Sequence, residues 1–229
     1  GSGAGVVQAH ERTDPCPPSI EYRNDDGSFE NAFTWQYQGG VAPDYGSFAE
    51  GHEGFAGNVS GVALFLTRWG SMTGVAAIDV YVWDYILADD NPGAVLSMTP
   101  CVSISGVGYW PSITEHDIDC SDASVGSNGF FVGYWPRSAE GVTSEFGCAM
   151  DEDGFGGVPR TNISPGIGYP TGWNNPSICG YYIQAFGIGG WVGGSPVPTE
   201  VTTPVVVSME TSASSIESAG YAWSKLTEA

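Results

Sequence analysis

VAAIDVYVWDYI, residues 75–86, decides the fold. Ala76, Ile78, Val80 and Val82 fall on one side of an extended chain, and Ala77, Asp79, Tyr81 and Trp83 on the other. Successive side chains of a strand point to opposite faces, so the stretch reads as a strand with one face in a core and an amphipathic aromatic face outside. Similar runs recur on both sides of it: AFTWQY (32–37), VSGVALFLTR (59–68), AVLSMTPCVSI (94–104), HDIDC (116–120), FFVGYW (130–135) and CGYYIQAFGI (179–188). Gly, Pro, Asn and Asp punctuate them. DDNPGAVL (89–96) reads as a tight connection into the following strand, and 39–58 and 147–177 as long glycine-rich loops. Helical periodicity is nearly absent before residue 205. Seven or eight such strands predict an all-β, two-layer antiparallel β-sandwich, jelly-roll-like in type.

The sandwich is expected over residues 21–192, between an extended N-terminal arm (1–20) and an extension at 193–229. GGSPVPTEVTTPVVVS (193–208) should run extended, because X-Pro disfavours the helical region. Its VTTPVVVS has strong β propensity, and Pro204 confines it to a sheet edge. Val201, Val205, Val206 and Val207 are therefore candidates for strand donation to a neighbouring subunit. Repeated head to tail, that contact propagates a filament. Beyond it, Ser214 or Ser215 offers an N-cap with Glu217 in the first turn, which predicts a short helix carrying Ile216, Tyr221, Trp223 and Leu226.

Charge narrows the partners. The 229 residues carry 26 acids, six Lys plus Arg and a formal net charge of −20. A chain this acidic repels phosphate backbones, which excludes nucleic acid and disfavours anionic membranes. No apolar stretch approaches the ~20 residues of a membrane-spanning helix. Cations would screen or bridge the acids. Scarce lysine beside 34 glycines and eight tryptophans reads as a secreted or cell-surface protein. The five cysteines form no CxxC and have no zinc-finger spacing to histidine, so disulfides are expected, in an oxidising compartment. Cys101 flanks the same turn region as Cys120 and is assigned to it, which leaves Cys148 to pair with Cys179. Cys16 is left over, either for another chain or as an inert thiol.

Several catalytic classes find no support. There is no G-x-S-x-G, no HExxH and no P-loop, and GIGGWVG (187–193) lacks the third glycine of a dinucleotide fingerprint. Paired carboxylates for glycoside chemistry are available among Asp25, Asp26, Glu30, Asp84, Asp117 and Glu145, but among 26 acids close pairs arise by chance. Trp69, Trp83, Trp110 and Trp135 are candidate platforms for stacking on sugar rings, as an aromatic face matches the apolar face of a pyranose. They serve a sandwich core equally well. Calcium is the better reading of the acidic loops. DEDGFGG (151–157) opens like a calcium loop through Asp151 and Asp153, yet fails the EF-hand pattern at Phe155 and Asn162. Asp25, Asp26 and Glu30, and separately Asp89 and Asp90, are the other candidate ligand sets.

EYRNDDGSFENAFTW (21–35), through Tyr22, Asp25, Asp26, Gly27, Glu30 and Asn31, resembles the segment that opens jelly-roll-like β-sandwich domains of large secreted bacterial proteins. NPGAVL (91–96) and GFFVGYW (129–135) are similar to later strands of such domains. The resemblance spans roughly 20–190, and its motifs are structural. It implies a non-catalytic accessory or surface role and leaves the ligand open. The expectation is a structural or adhesive unit that assembles with other copies of itself through its terminal segments. Its rivals are a carbohydrate-binding module, which needs an exposed row of tryptophans on one sheet face, and a polysaccharide-active enzyme.

Overall fold

The computed structural model describes residues 6–8, 20–34, 46–68, 76–137, 146–163, 169–180 and 182–193. Fourteen strands occur among them: β1 (Val6–Gln8), β2 (Ile20–Tyr22), β3 (Asn31–Phe33), β4 (Phe48–Glu53), β5 (Gly57–Thr67), β6 (Ala76–Ile86), β7 (Asn91–Ile104), β8 (Ser112–Val125), β9 (Gly129–Pro136), β10 (Gly147–Asp151), β11 (Val158–Ile163), β12 (Gly172–Asn174), β13 (Ala185–Phe186) and β14 (Ile188–Val192). One 3-10 turn at Pro176–Cys179 is the helical element of the described residues. The strands form two sheets. One runs β12-β11-β4-β9-β6-β7; the other runs β1-β8-β5-β10-β13, with β14 beside β5, β2 beside β14 and β3 beside β10. This is an all-β sandwich.

Alternation builds the core. Ile78, Val80 and Val82 of β6 are fully buried and meet Val62, Leu64 and Leu66 of β5 in one cluster between the layers. Phe48 anchors it, with its ring centroid 5.8 Å from Phe33, 5.4 Å from Tyr134 and 5.5 Å from Phe186. Burying a side chain of this size is worth about 1.5–3 kcal/mol. β5 is apolar on both faces because Ala63 and Phe65 pack outward under Phe29, Ile113 and Ala149.

Glycine explains what the sequence hid. The stretches 39–58 and 147–177, expected as loops, contain β4, β10, β11 and β12. β4 reads FAEGHE, and its Gly51 lies where an added Cβ would come within 2.6 Å of the Phe131 ring. Aromatic rings from neighbouring strands fill the space over such glycines, so they are strand positions and not turns. The expected strand at 179–188 is broken instead: Cys179 closes the 3-10 turn, and pairing resumes at β13 and β14. The two Asn-x-Ser sequences, which begin at Asn58 and Asn162, start within strands, Asn58 in β5 and Asn162 in β11.

The outer face of β6 also differs from its expected solvent exposure. Asp79 is 8% exposed and Trp83 is 2% exposed. Asp79 accepts from Arg137 Nε at 2.6 Å and from the Cys101 N–H at 2.9 Å. Trp83 stacks on Tyr81 (5.0 Å, 9°) and meets Trp173 edge-on at 5.3 Å, in a small cluster outside the six-stranded sheet.

The expected disulfides are not formed. Cys101, Cys120, Cys148 and Cys179 are all free thiols. The chain passes from one sheet to the other between Ile104 and Ser112, so Cys101 on β7 and Cys120 on β8 lie in different layers. Cys101 is exposed, whereas Cys120 packs against the core. Cys148 is the second residue of β10, paired with Phe33 on one side and Leu66 on the other and fully buried, where burial pushes its thiol well above the ordinary range. Cys179 is at the end of the 3-10 turn. Cys16, Trp69, the strand-donor valines 201 and 205–207, and the expected C-terminal helix lie outside the described residues. None of the helices among the described residues is long and apolar enough to cross a membrane.

Candidate functional site

Two acidic segments read separately in the sequence meet at one end of the sandwich. β3 pairs with β10, opposing Asn31 to Met150, and this brings the 25–30 turn beside the 151–154 turn. Ligand atoms of Glu30, Asp151 and Asp153 lie within 4.8 Å of one another. Asp151 is fully buried and organises the junction: Oδ1 accepts the N–H groups of Asp153 (3.0 Å) and Gly154 (2.6 Å), and Oδ2 accepts that of Asp26 (2.8 Å). Glu30 Oε2 accepts the Glu152 N–H at 2.9 Å, crossing in the opposite direction. Burial raises the Asp151 carboxyl above its ordinary value, against the pull of these three donors.

The remaining candidates divide. Asp25 is committed to a bidentate ion pair with Arg23. Asp26 caps its own turn by accepting from Ser28 N and Ser28 Oγ. Asp89 and Asp90 lie in the exposed β6–β7 turn, where Asp90 accepts from the Tyr85 hydroxyl at 3.1 Å and takes a positive φ of 51°. They are not brought to the Asp151 cluster. A carboxylate offers about four lone-pair positions, so Asp151 retains one beyond its three backbone donors, and Glu30 and Asp153 add theirs. A hard cation with oxygen ligands suits that donor set.

Among the described residues the tryptophans do not form an open row. Trp83 is buried by Tyr81, Trp135 and Trp173, and Trp110 packs on the Phe29–Phe65 cluster on the opposite side of the molecule. Trp135 is half-buried, with its indole N–H enclosed and lacking a hydrogen-bond partner.

Sequence reasoning missed Glu50. It sits in β4 and is fully buried, yet three parts of the chain converge on it. Oε1 accepts from Asn24 Nδ2 and from the Val158 N–H, each at 2.7 Å, and Oε2 accepts from the Phe186 N–H at 3.0 Å. Burial pushes its carboxyl up to about 8 in spite of those donors. The glutamate at the third position of FAEGHE was the available signal, but only pairing with β9 and β11 tells which way it faces. No family model matches this chain, and no curated protein or solved structure is significantly similar to it.

Proposed function

We propose that the protein is a non-catalytic structural or adhesive unit of the cell exterior that assembles with other copies of itself through its terminal segments. The observation that carries this is β1. Val6, Val7 and Gln8 lie parallel to Ser112, Ile113 and Thr114 of β8, while every other strand pair among the described residues is antiparallel. A parallel strand laid on a sheet edge by a terminal arm is the geometry of strand addition. The same slot accepts the arm of a neighbour as readily as its own.

The far edge of the other sheet supports the same reading. β7 carries Val95 at 53% and Met98 at 46% exposure, an apolar edge of the kind monomers usually blunt. The strand donor proposed for it is the 201–207 segment of the next copy. Calcium belongs to this proposal as the ion that would bridge Glu30, Asp151 and Asp153 and lock the two acidic turns together. Extracellular location is part of it too.

The test is negative-stain microscopy of the full chain, with and without a chelator, beside a Val7→Pro variant. Regular fibres that disappear in Val7→Pro, with the unfolding temperature of the domain unchanged, are the expected result. Dispersed particles under every condition overturn assembly as the function. Loss of fibres on chelation would tie calcium to the contact.

A further inference from the structure

The outer face of the six-stranded sheet is apolar where a two-layer sandwich is ordinarily polar. Such a fold packs one face of each sheet on the core and leaves the other to water. Here Trp83, Tyr85 and Phe131 form a buried tier outside the sheet, and Tyr81, Trp135 and Trp173 pack over it, each half-buried. Register extends the face to the sheet edge. Val95 pairs with Trp83 and Met98 with Tyr81, so both exposed side chains share the aromatic side of β6. Among the described residues the strands make two sheets, and no further sheet covers this tier.

Composition identifies the kind of surface. Trp, Tyr, Met and Arg are the residues enriched at protein–protein contacts, while Lys, Glu and Asp are depleted there. None of the 14 residues of β7 is Asp, Glu, Lys or Arg. In a chain of net charge −20, an apolar face beside such a strand is where a like-charged copy approaches without setting acid against acid.

The charges at its two ends select the partner. Where β6 begins, exposed Arg137 pairs with Asp79, which is itself buried, so the charge presented to water is positive. Where β6 ends, Glu53, Asp89 and Asp90 are exposed and present negative charge, tempered by half-buried Arg160, whose Nε donates to Asn91 Oδ1. Glu53 ends β4 opposite Gly129, the first residue of β9, and Arg137 follows the last residue of β9. The two charges thus mark opposite ends of adjacent strands. A two-fold axis lying in the interface and crossing the strands reverses the second copy, which seats each Arg137 over the other's Glu53. The size also fits. Six strands at about 4.8 Å spacing, with about eight residues of depth, offer roughly 700 Å², near the ~800 Å² per partner of a standard contact.

We infer that this face is a dimer interface, on which a second copy of the chain docks face to face. Tyr81, Met98, Trp135 and Trp173 fill its middle, and Arg137 meets Glu53 at both ends. The contact is separate from that of the terminal segments and stands whether or not they propagate fibres.

The experiment is sedimentation velocity of the full chain at about 150 mM salt, where a Debye length of ~8 Å screens the distant acids. Val7→Pro serves as the background, because it removes arm exchange through β1. A species of twice the 24.0 kDa chain mass is expected in that variant. Adding Met98→Glu puts an acid into the apolar contact of each copy and should weaken the dimer about tenfold or more. The unfolding temperature should hold, since Met98 is exposed. Should Met98→Glu not fold, Val95→Glu serves in its place. Glu53→Lys, which sets like charge against Arg137, should weaken the dimer as well. Tyr182→Glu, at a still more exposed aromatic beside the 151–157 turn, should change nothing. A single-chain mass at about 100 μM, or a dimer that Met98→Glu and Glu53→Lys leave unchanged, overturns the inference. Dimers without fibres in the wild type would sink the terminal-segment reading alone. Fibres whose Val7→Pro variant is monomeric would sink this one alone.

Discussion

The backbone N–H of Asp26 donates to Asp151 Oδ2 at 2.8 Å across a sequence separation of 125 residues. With the two donors on Oδ1, a single buried carboxylate closes both acidic turns. Asp151→Ala would leave three N–H groups without that acceptor. At about 1–3 kcal/mol for a buried donor left unmet, partly recovered by water, the expected loss is about 3–5 kcal/mol. Urea unfolding checks it, and a loss below 1 kcal/mol would show that the junction is not organised by this side chain.

Close strand approach gives a second prediction. A Cβ at Gly133 would lie 2.0 Å from the Phe48 carbonyl oxygen, a backbone atom that no rotamer change can move. Gly133→Ala should therefore cost about 3 kcal/mol or more, at the upper end of overpacking effects. Gly27→Ala, at a positive φ of 88° with open space around it, should cost about 1 kcal/mol from backbone strain alone. Thermal unfolding of the pair separates the two causes.

Thiol accessibility tests the cysteine assignment. Cys101 should react with a thiol reagent in the native protein, since it is exposed, whereas Cys148 should react only in denaturant. Mass mapping of the labelled sites reads this directly. A Cys101–Cys120 or Cys148–Cys179 bridge in native material would contradict the structure.

Stability should fall as pH rises. Glu21 and Glu115 sit at about 7 and Glu50 at about 8, above the ordinary value of 4.5. Between those limits the native state holds protons that the unfolded chain has released, so the stability these three carboxyls contribute is fully present below about 4.5 and is lost on the way to about 8, while buried His52, lowered to about 4, opposes the trend below about 6.5. A decline of at least about 2 kcal/mol from pH 5 to pH 8, or about 4–8 °C in Tm, is expected. Glu115→Gln should flatten part of that slope. A rising or level profile would mean that these carboxyls ionise normally.

The sequence by itself determined the architecture. Strand alternation at 75–86 and the β-rich runs around it specify a sandwich because a period of two is a local property: each residue alone commits its side chain to one face. It also named Asp25, Asp26, Glu30, Asp151 and Asp153 as chemistry-bearing positions. Which of them work together was decided only by tertiary structure. The β3–β10 pairing joins Glu30 to Asp151 and Asp153, while Asp25 turns instead to Arg23. β4 was hidden because Gly51 breaks the hydrophobic pattern, and its reason for being there is the neighbouring Phe131 ring. Glu50 and Glu115 were illegible for the same reason. Whether a carboxylate faces water, a donor or nothing depends on which strand lies beside it, and pairing between strands far apart in sequence leaves no mark on the residues themselves.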